Sequence, residues 1–309
     1  MAEATYIAPQ VVFNSAISRI IENMLGLIRW LSHRSLGFLH RVGGWAGWLT
    51  WALSPSYRQR LRENAELAGV TARDRRASVA QAGRLILEIP RLWSRAHAEP
   101  IADPVRWEGS ELIDRAVQEG RGLVLLTPHM GSFEVAGQAY AERFGAQQPM
   151  TVLYRPARQA WVRAWEDQAR ARPHLSTAPA NVGGVRQLLR ALKRGETLGL
   201  LPDQVPPEGQ GVWSPFFGKP AYTMTLAARL VHQTGAAVLC LWCERLPRGQ
   251  GYVVRVSPMA HPLPSSNDGP FDEAQGALAI NRSMEALILQ CPSQYLWGYH
   301  RYKTPRGAP

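Results

Sequence analysis

The octet Thr127-Pro128-His129-Met130-Gly131-Ser132-Phe133-Glu134 follows directly on the apolar run Gly122–Thr127 (GLVLLT). A strand end feeding a helix start is where α/β folds place their sites. Glu134 falls in the first turn of the predicted helix, from which it can reach back toward the imidazole of His129. A carboxylate on one ring nitrogen fixes the tautomer and makes the other nitrogen a better base. Such a base removes a proton from a hydroxyl as that hydroxyl attacks a thioester, and the protein then needs no nucleophile of its own. The pattern H-x4-E is short, and it also fits a loop histidine beside a helix-capping glutamate.

The elements that must position this octet are legible as alternating patterns. Gly122–Thr127, Met150–Tyr154, Thr197–Leu201, Ala237–Trp242 and Tyr252–Val256 are short apolar runs that predict strands. Ala77–Trp93, Gly131–Phe144, Val182–Arg194, Met224–Thr234 and Ala274–Leu289 predict helices. In the Val182 segment, Val185, Leu188, Leu189 and Leu192 share one face, and Pro90 sits where the Ala77 helix should end or kink. This alternation indicates an α/β fold with a mostly parallel central sheet flanked by helices.

The N-terminal region reads differently. Between Ser15 and Arg62 lie seven arginines and one acid, Glu22, with apolar residues interleaved. Arg29, Arg34 and Arg41 interrupt the hydrophobicity, and the longest clean stretch is Val42–Leu53. A bilayer span needs about 20 apolar residues, so a spanning helix is not expected. Trp30, Trp45, Trp48 and Trp51 beside arginines suit the headgroup boundary of an anionic membrane. Tryptophans spaced by three can equally pack on the protein's own core.

Across all 309 residues, 35 basic and 24 acidic side chains give a formal charge of +11. That excess favours anionic partners: lipid headgroups, an acidic protein or nucleic acid. No recognised nucleic-acid motif accompanies it. The eight histidines are scattered without an H-x3-H pair, and no metal or cofactor is called for. Cys240 and Cys243 form a CxxC inside an apolar strand, where residues three apart face opposite sides, so they are expected to be structural. No signal-peptide pattern opens the chain, which places the active domain in the cytoplasm as an expectation. A serine hydrolase is the enzymatic rival, but Ser132 lacks the G-x-S-x-G elbow. A basic membrane- or nucleic-acid-binding protein is the non-enzymatic one, and it has no use for a paired His129 and Glu134.

Several segments occur together in order: His129–Glu134; Leu153-Tyr154-Arg155; Leu201-Pro202-Asp203-Gln204; Pro215-Phe216-Phe217-Gly218 through Ala221-Tyr222-Thr223; and Tyr295-Leu296-Trp297 through His300-Arg301-Tyr302-Lys303. In this combination the chain resembles the late acyltransferases of lipid A biosynthesis, within the glycerolipid acyltransferase group and its H-x4-D/E motif. The resemblance runs from about Leu61 to Lys303, and Asn64-Ala65-Glu66-Leu67 departs from it by lacking an aromatic-Pro continuation. Together with the N-terminal pattern above, this divides the chain into an expected membrane-associating segment at 1–55 and a single acyltransferase domain at 56–309. The donor that the resemblance implies is acyl carrier protein, the implied acceptor a hydroxyl on a Kdo-linked lipid A precursor, and the implied location the cytoplasmic face of the bacterial inner membrane. Another glycolipid or phospholipid acceptor stays open.

Such a transfer needs a base, a donor for the developing oxyanion and a positive surface for sugar phosphates and carrier protein. His129 and Glu134 are expected to supply the first. Arg155 fits the second or third, because a planar guanidinium suits phosphate or oxyanion; a surface arginine after a strand is its plain alternative. Asp203 can orient Arg155 or a loop, or simply cap a turn, and Gln204 can join the same network. Arg301 and Lys303 can meet phosphates, or be solvated tail charge. Phe216 and Phe217 can line an acyl groove, although core packing is the common fate of such a pair.

Overall fold

The computed structural model describes residues 22–157, 159–264, 269–305 and 307. The part of the expected membrane segment before residue 22 lies outside them. Residues 22–32 are helical and lead into α1 (Leu36–Leu53), α2 (Pro55–Leu67) and α3 (Ala72–Trp93). The α/β body follows as β1 (Val105–Glu108), α4 (Glu111–Glu119), β2 (Leu123–Leu126), α5 (Phe133–Phe144), β3 (Met150–Tyr154) and α6 (Ala160–Arg170). Then come β4 (Leu175–Pro179), α7 (Val182–Lys193), β5 (Thr197–Leu200), β6 (Gly211–Phe216), β7 (Lys219–Met224), α8 (Leu226–Thr234), β8 (Ala237–Arg245), β9 (Tyr252–Pro258) and α9 (Glu273–Gln290).

Seven strands form one sheet in the order β1-β9-β8-β2-β5-β3-β4, and β6-β7 is a separate hairpin. Every pairing in the large sheet is parallel except β8 with β9. The central strands β2 and β5 are buried along their whole length, which is why they read as unbroken apolar runs. Alternate residues of β2 feed opposite layers. Val124 and Leu126 join Leu188 of α7, Leu230 of α8 and Ile280 of α9, whereas Leu123 and Leu125 join Ile113 of α4 and Val135 of α5. Cys240 and Cys243 divide between the same two layers, as strand periodicity requires.

Helix α3 starts on a Thr71 cap that accepts from the Asp74 amide at 3.1 Å and continues through Pro90 to Trp93. It crosses α1 at very close range: a Cβ on Gly83 would lie 2.0 Å from the Gly43 carbonyl oxygen, and one on Gly47 would lie 2.2 Å from that of Val79. The Gly43-x-x-x-Gly47 spacing therefore serves a helix crossing that admits no side chain. The opposite face of α1 carries Trp45, Leu49 and Leu53, which are 79%, 60% and 74% exposed. Among the described residues no helix is long and apolar enough to cross a membrane.

Candidate active site

Strands β2 and β5 are adjacent, parallel and in register, with Leu126 opposite Leu200. His129 stands three residues beyond the end of β2, and Asp203 stands three residues beyond the end of β5. The two side chains therefore emerge at the same edge of the sheet. His129 Nδ1 lies 2.6 Å from Asp203 Oδ1, and the backbone N–H of His129 donates to Oδ2 at 2.9 Å. Asp203 is buried, which by itself raises its pKa, but the His129 imidazole, its hydrogen bonds and the charge of Arg301 together hold it below the ordinary value. The ionised carboxylate can only accept, so Nδ1 carries the hydrogen, and in the neutral imidazole Nε2 then presents its lone pair. Gln204 Nε2 sits 3.0 Å from that nitrogen, where a substrate hydroxyl would have to replace it.

The pairing expected of Glu134 is thus made by Asp203, and this corrects the expected His129–Glu134 contact. Glu134 lies in the first turn of α5, and its carboxylate accepts from Arg170 Nη2 at 2.9 Å and Trp93 Nε1 at 3.2 Å. Arg170 lies between the rings of Trp93 and Tyr154, at 5.1 and 5.5 Å from their centroids. Arg170 and Trp93 had no signature in the sequence, because their roles come from helices that meet the site only in the folded chain.

The loop that carries His129 is held from beneath. Gly131 has φ +57°, and a Cβ there would meet the Cys243 carbonyl oxygen at 1.9 Å. The Ser132 N–H donates to that same carbonyl at 2.8 Å, the Gly131 N–H to the Gln294 carbonyl at 2.9 Å, and the Leu296 N–H to the His129 carbonyl at 3.2 Å. Below the loop, Glu88 of α3 receives Arg245 in a bidentate pair, both contacts at 2.9 Å, and accepts from Ser132 Oγ at 2.7 Å. Arg245 also donates to the Gly131 carbonyl at 3.1 Å. His40 of α1 lies 3.2 Å from the same carboxylate. Burial opposes the charge on Glu88, but Arg245, His40 and Ser132 overcome it and hold the pKa down to about 2. Ser132 is fully buried and committed to Glu88, which argues against it as a nucleophile.

His129, Glu134, Arg155, Arg170, Gln204 and Lys303 all line one cleft of about 650 Å³ at the carboxyl ends of β2, β5 and β3. Its apolar wall comes from Val152, Leu153, Val182, Val185, Leu201 and Leu226. Arg155 is exposed and Lys303 half-buried, with its ammonium 5.0 Å from the Tyr299 ring centroid. Three expected site residues lie elsewhere. Arg301 is buried and donates to the Tyr222 carbonyl at 2.6 Å and to Thr223 Oγ1 at 2.8 Å, so its guanidinium is tied to the hairpin rather than open to phosphates, and its charge acts on Asp203. Phe216 is buried in the core. Phe217 and Gly218 form the two-residue turn of the β6-β7 hairpin with φ of 48° and 77°, and Phe217 packs against Trp297. Neither phenylalanine lines the cleft, so the acyl-groove expectation is not met at either position.

A mostly parallel sheet whose central strands bring a carboxylate-held histidine to an apolar cleft edged with cations defines a class suited to acyl transfer. Residues 14–304 match the family described as bacterial lipid A biosynthesis acyltransferase, and the chain belongs to that family. It is similar to a lipid A biosynthesis palmitoleoyltransferase of Escherichia coli, with 30% identity over 64% of this chain and 61% of that protein. A lipid A biosynthesis lauroyltransferase of the same organism is 30% identical over 66% of this chain and 65% of its own length. The matched stretch thus covers less than two thirds of either relative. Across 91% of this chain and 88% of the relative, identity to lipid A biosynthesis acyltransferase 2 of Shigella flexneri is 22%.

Proposed function

We propose that this protein transfers a fatty acyl chain from acyl carrier protein to a hydroxyl of a lipid A precursor, at the cytoplasmic face of the inner membrane. The observation that carries this reading is the 2.6 Å contact of His129 Nδ1 with buried Asp203, which leaves Nε2 as the base in the cleft. Family membership supports the lipid A acceptor, and the excess of 35 basic over 24 acidic residues suits an acidic carrier and sugar phosphates.

The acceptor hydroxyl displaces the Gln204 amide from Nε2 and gives its proton to the imidazole as its oxygen attacks the thioester carbonyl carbon. Asp203 supports the imidazolium that forms. The negative charge on the carbonyl oxygen meets a guanidinium, for which Arg155 is the candidate, because Arg170 is committed to Glu134. The C–S bond then breaks, and the carrier thiolate takes the proton back from His129. The aliphatic wall receives the acyl chain. Membrane attachment is proposed through the exposed Trp45, Leu49 and Leu53 face of α1.

The test is transfer from labelled acyl carrier protein to a Kdo-linked lipid A precursor by purified protein, together with mass spectrometry of lipid A from cells lacking it. The reading requires an ester product and a missing acyl chain in the mutant cells. Unchanged lipid A together with no transfer in vitro would remove it.

A further inference from the structure

A second cleft, of about 530 Å³, lies where α1, α2 and α3 meet. It shares no lining residue with the cleft around His129. Its walls are Trp48 and Trp51 of α1, and its rim holds Arg58 and Arg62 of α2 with Arg75 and Arg76 of α3. Two of the four guanidinium groups are engaged. Arg58 donates to the Trp51 and Ala52 carbonyls at 3.3 and 3.4 Å and lies 5.1 Å from the Trp51 ring centroid. Arg75 pairs with Glu66 at 2.8 Å. Among the described residues, Arg62 and Arg76 have neither an ion pair nor a side-chain hydrogen bond. Of the nearby acids, Glu63 accepts from Gln59 at 2.7 Å and Asp74 from Thr71 at 2.8 Å.

We infer that this cleft binds the headgroup phosphate of an anionic phospholipid at the membrane surface, apart from the catalytic cleft. This rests on the membrane attachment proposed above and gives it a specific lipid contact. Four arginines around one concavity repel one another, and a single carboxylate, Glu66, is paired to them; a phosphate relieves that repulsion. Guanidinium groups bind phosphate in a planar, bidentate manner, and the volume is of ordinary size for a small-molecule site. The cleft is continuous with the exposed stripe Trp45, Leu49 and Leu53, because Trp48 is the helical neighbour of Trp45 and Trp51. With that stripe in the acyl boundary, the arginines lie at the level of the phosphates. An acidic carrier protein fits less well, since its thioester must reach His129 in the other cleft.

Sedimentation with phosphatidylcholine vesicles, with and without phosphatidylglycerol, tests this on the full chain. The variant is Arg62→Gln with Arg76→Gln, both exposed helix positions. The charge-matched control is Arg106→Gln with Arg115→Gln, exposed on β1 and α4. An interfacial arginine contributes about a fivefold factor in affinity. The cleft variant should therefore lose roughly ten- to thirtyfold on phosphatidylglycerol vesicles, bind phosphatidylcholine like wild type, and keep its activity in neutral detergent. The control should lose little.

Equal losses in variant and control would mean diffuse charge, and no loss in either would mean an unused cleft; each overturns the inference while leaving membrane attachment intact. Wild type that binds neither vesicle overturns both. Displacement from vesicles by millimolar inorganic phosphate but not by equal ionic strength would assign the cleft to a free phosphate instead. A raised KM for the carrier with unchanged vesicle binding would assign it to the carrier protein.

Discussion

Asp203 and Glu134 lead to opposite expectations for charge removal. Asp203→Asn should lose nearly as much activity as His129→Ala, for which the scale of general-base removal is about 10² to 10⁴. An amide at position 203 can turn its NH2 toward Nδ1 and so force the hydrogen onto Nε2, the nitrogen proposed as the base. Glu134→Gln should cost less, because a glutamine oxygen can still accept from Trp93 and Arg170, the groups Glu134 holds. Steady-state kinetics of the three purified variants decides between them, and an active Asp203→Asn beside a dead Glu134→Gln would reverse the assignment. Arg155→Lys should lose activity even at low salt, since it keeps the charge but not the fork. If its rate follows wild type throughout a salt series, Arg155 is only surface charge. His129, Gln204 and Arg155 were legible because each sits at or just beyond a strand end. Asp203 was legible as a residue but not as the partner of His129: the two are 74 residues apart, and only the β2–β5 pairing brings them together. Arg301 misled because a basic residue near a chain end reads as solvated, whereas here a carbonyl and a hydroxyl accept from its two terminal nitrogens in the interior.

At the scale of elements, the strands with unbroken apolar runs were readable: Met150–Tyr154 appears with the bounds expected, and the runs beginning at Thr197, Ala237 and Tyr252 start where expected. Strands β1 and β4 were not, because edge strands with polar alternation such as VRWE lack that signal. The β6-β7 hairpin was hidden by a Phe-Gly turn in place of the usual Asn-Gly or Asp-Gly. Nor could local pattern reveal that α3 carries a carboxylate that anchors the His129 loop on β8. That anchor makes acid stability informative. The folded pKa of Glu88, about 2, lies below its ordinary 4.5, so ionised Glu88 favours the fold. The contribution is complete above about pH 5 and fades as pH falls through 4.5 toward 2. Its size is roughly 3 kcal/mol. Glu88→Gln should remove that acid-dependent portion and leave Arg245 buried without its counter-charge, a loss of about 3–5 kcal/mol. Urea unfolding of both proteins at pH 7 and pH 4 measures this: wild type should weaken toward pH 4 more steeply than the variant. Parallel pH dependences would mean that Glu88 is not the titrating group.

For the whole molecule, the question is what the exposed face of α1 does. Its other face is fixed to the body by the Gly43, Gly47 and Gly83 crossing and by His40 at Glu88. The tryptophan pattern therefore divides: Trp51 packs against the core while Trp45 stands 79% exposed. The core-packing reading thus holds for Trp51 and not for Trp45, a division set by helical phase that composition alone does not show. Because α1 touches Glu88, deleting it would disturb the His129 loop as well as any attachment, so substitution on the outer face is the cleaner probe. Trp45→Gln with Leu49→Gln and Leu53→Gln alters exposed side chains only. Burying a large apolar side chain contributes about 1.5–3 kcal/mol. Interfacial insertion is partial, and even about 1 kcal/mol per residue would shift partitioning by more than a hundredfold. The triple variant should therefore move from the membrane to the soluble fraction in cell fractionation and lose binding to phosphatidylcholine vesicles. Its melting temperature and its transfer rate in neutral detergent should stay near wild type. If the variant remains membrane-bound and is removed only by detergent, attachment lies elsewhere in the chain. If it melts far below wild type, the outer face of α1 belongs to the fold rather than to the membrane.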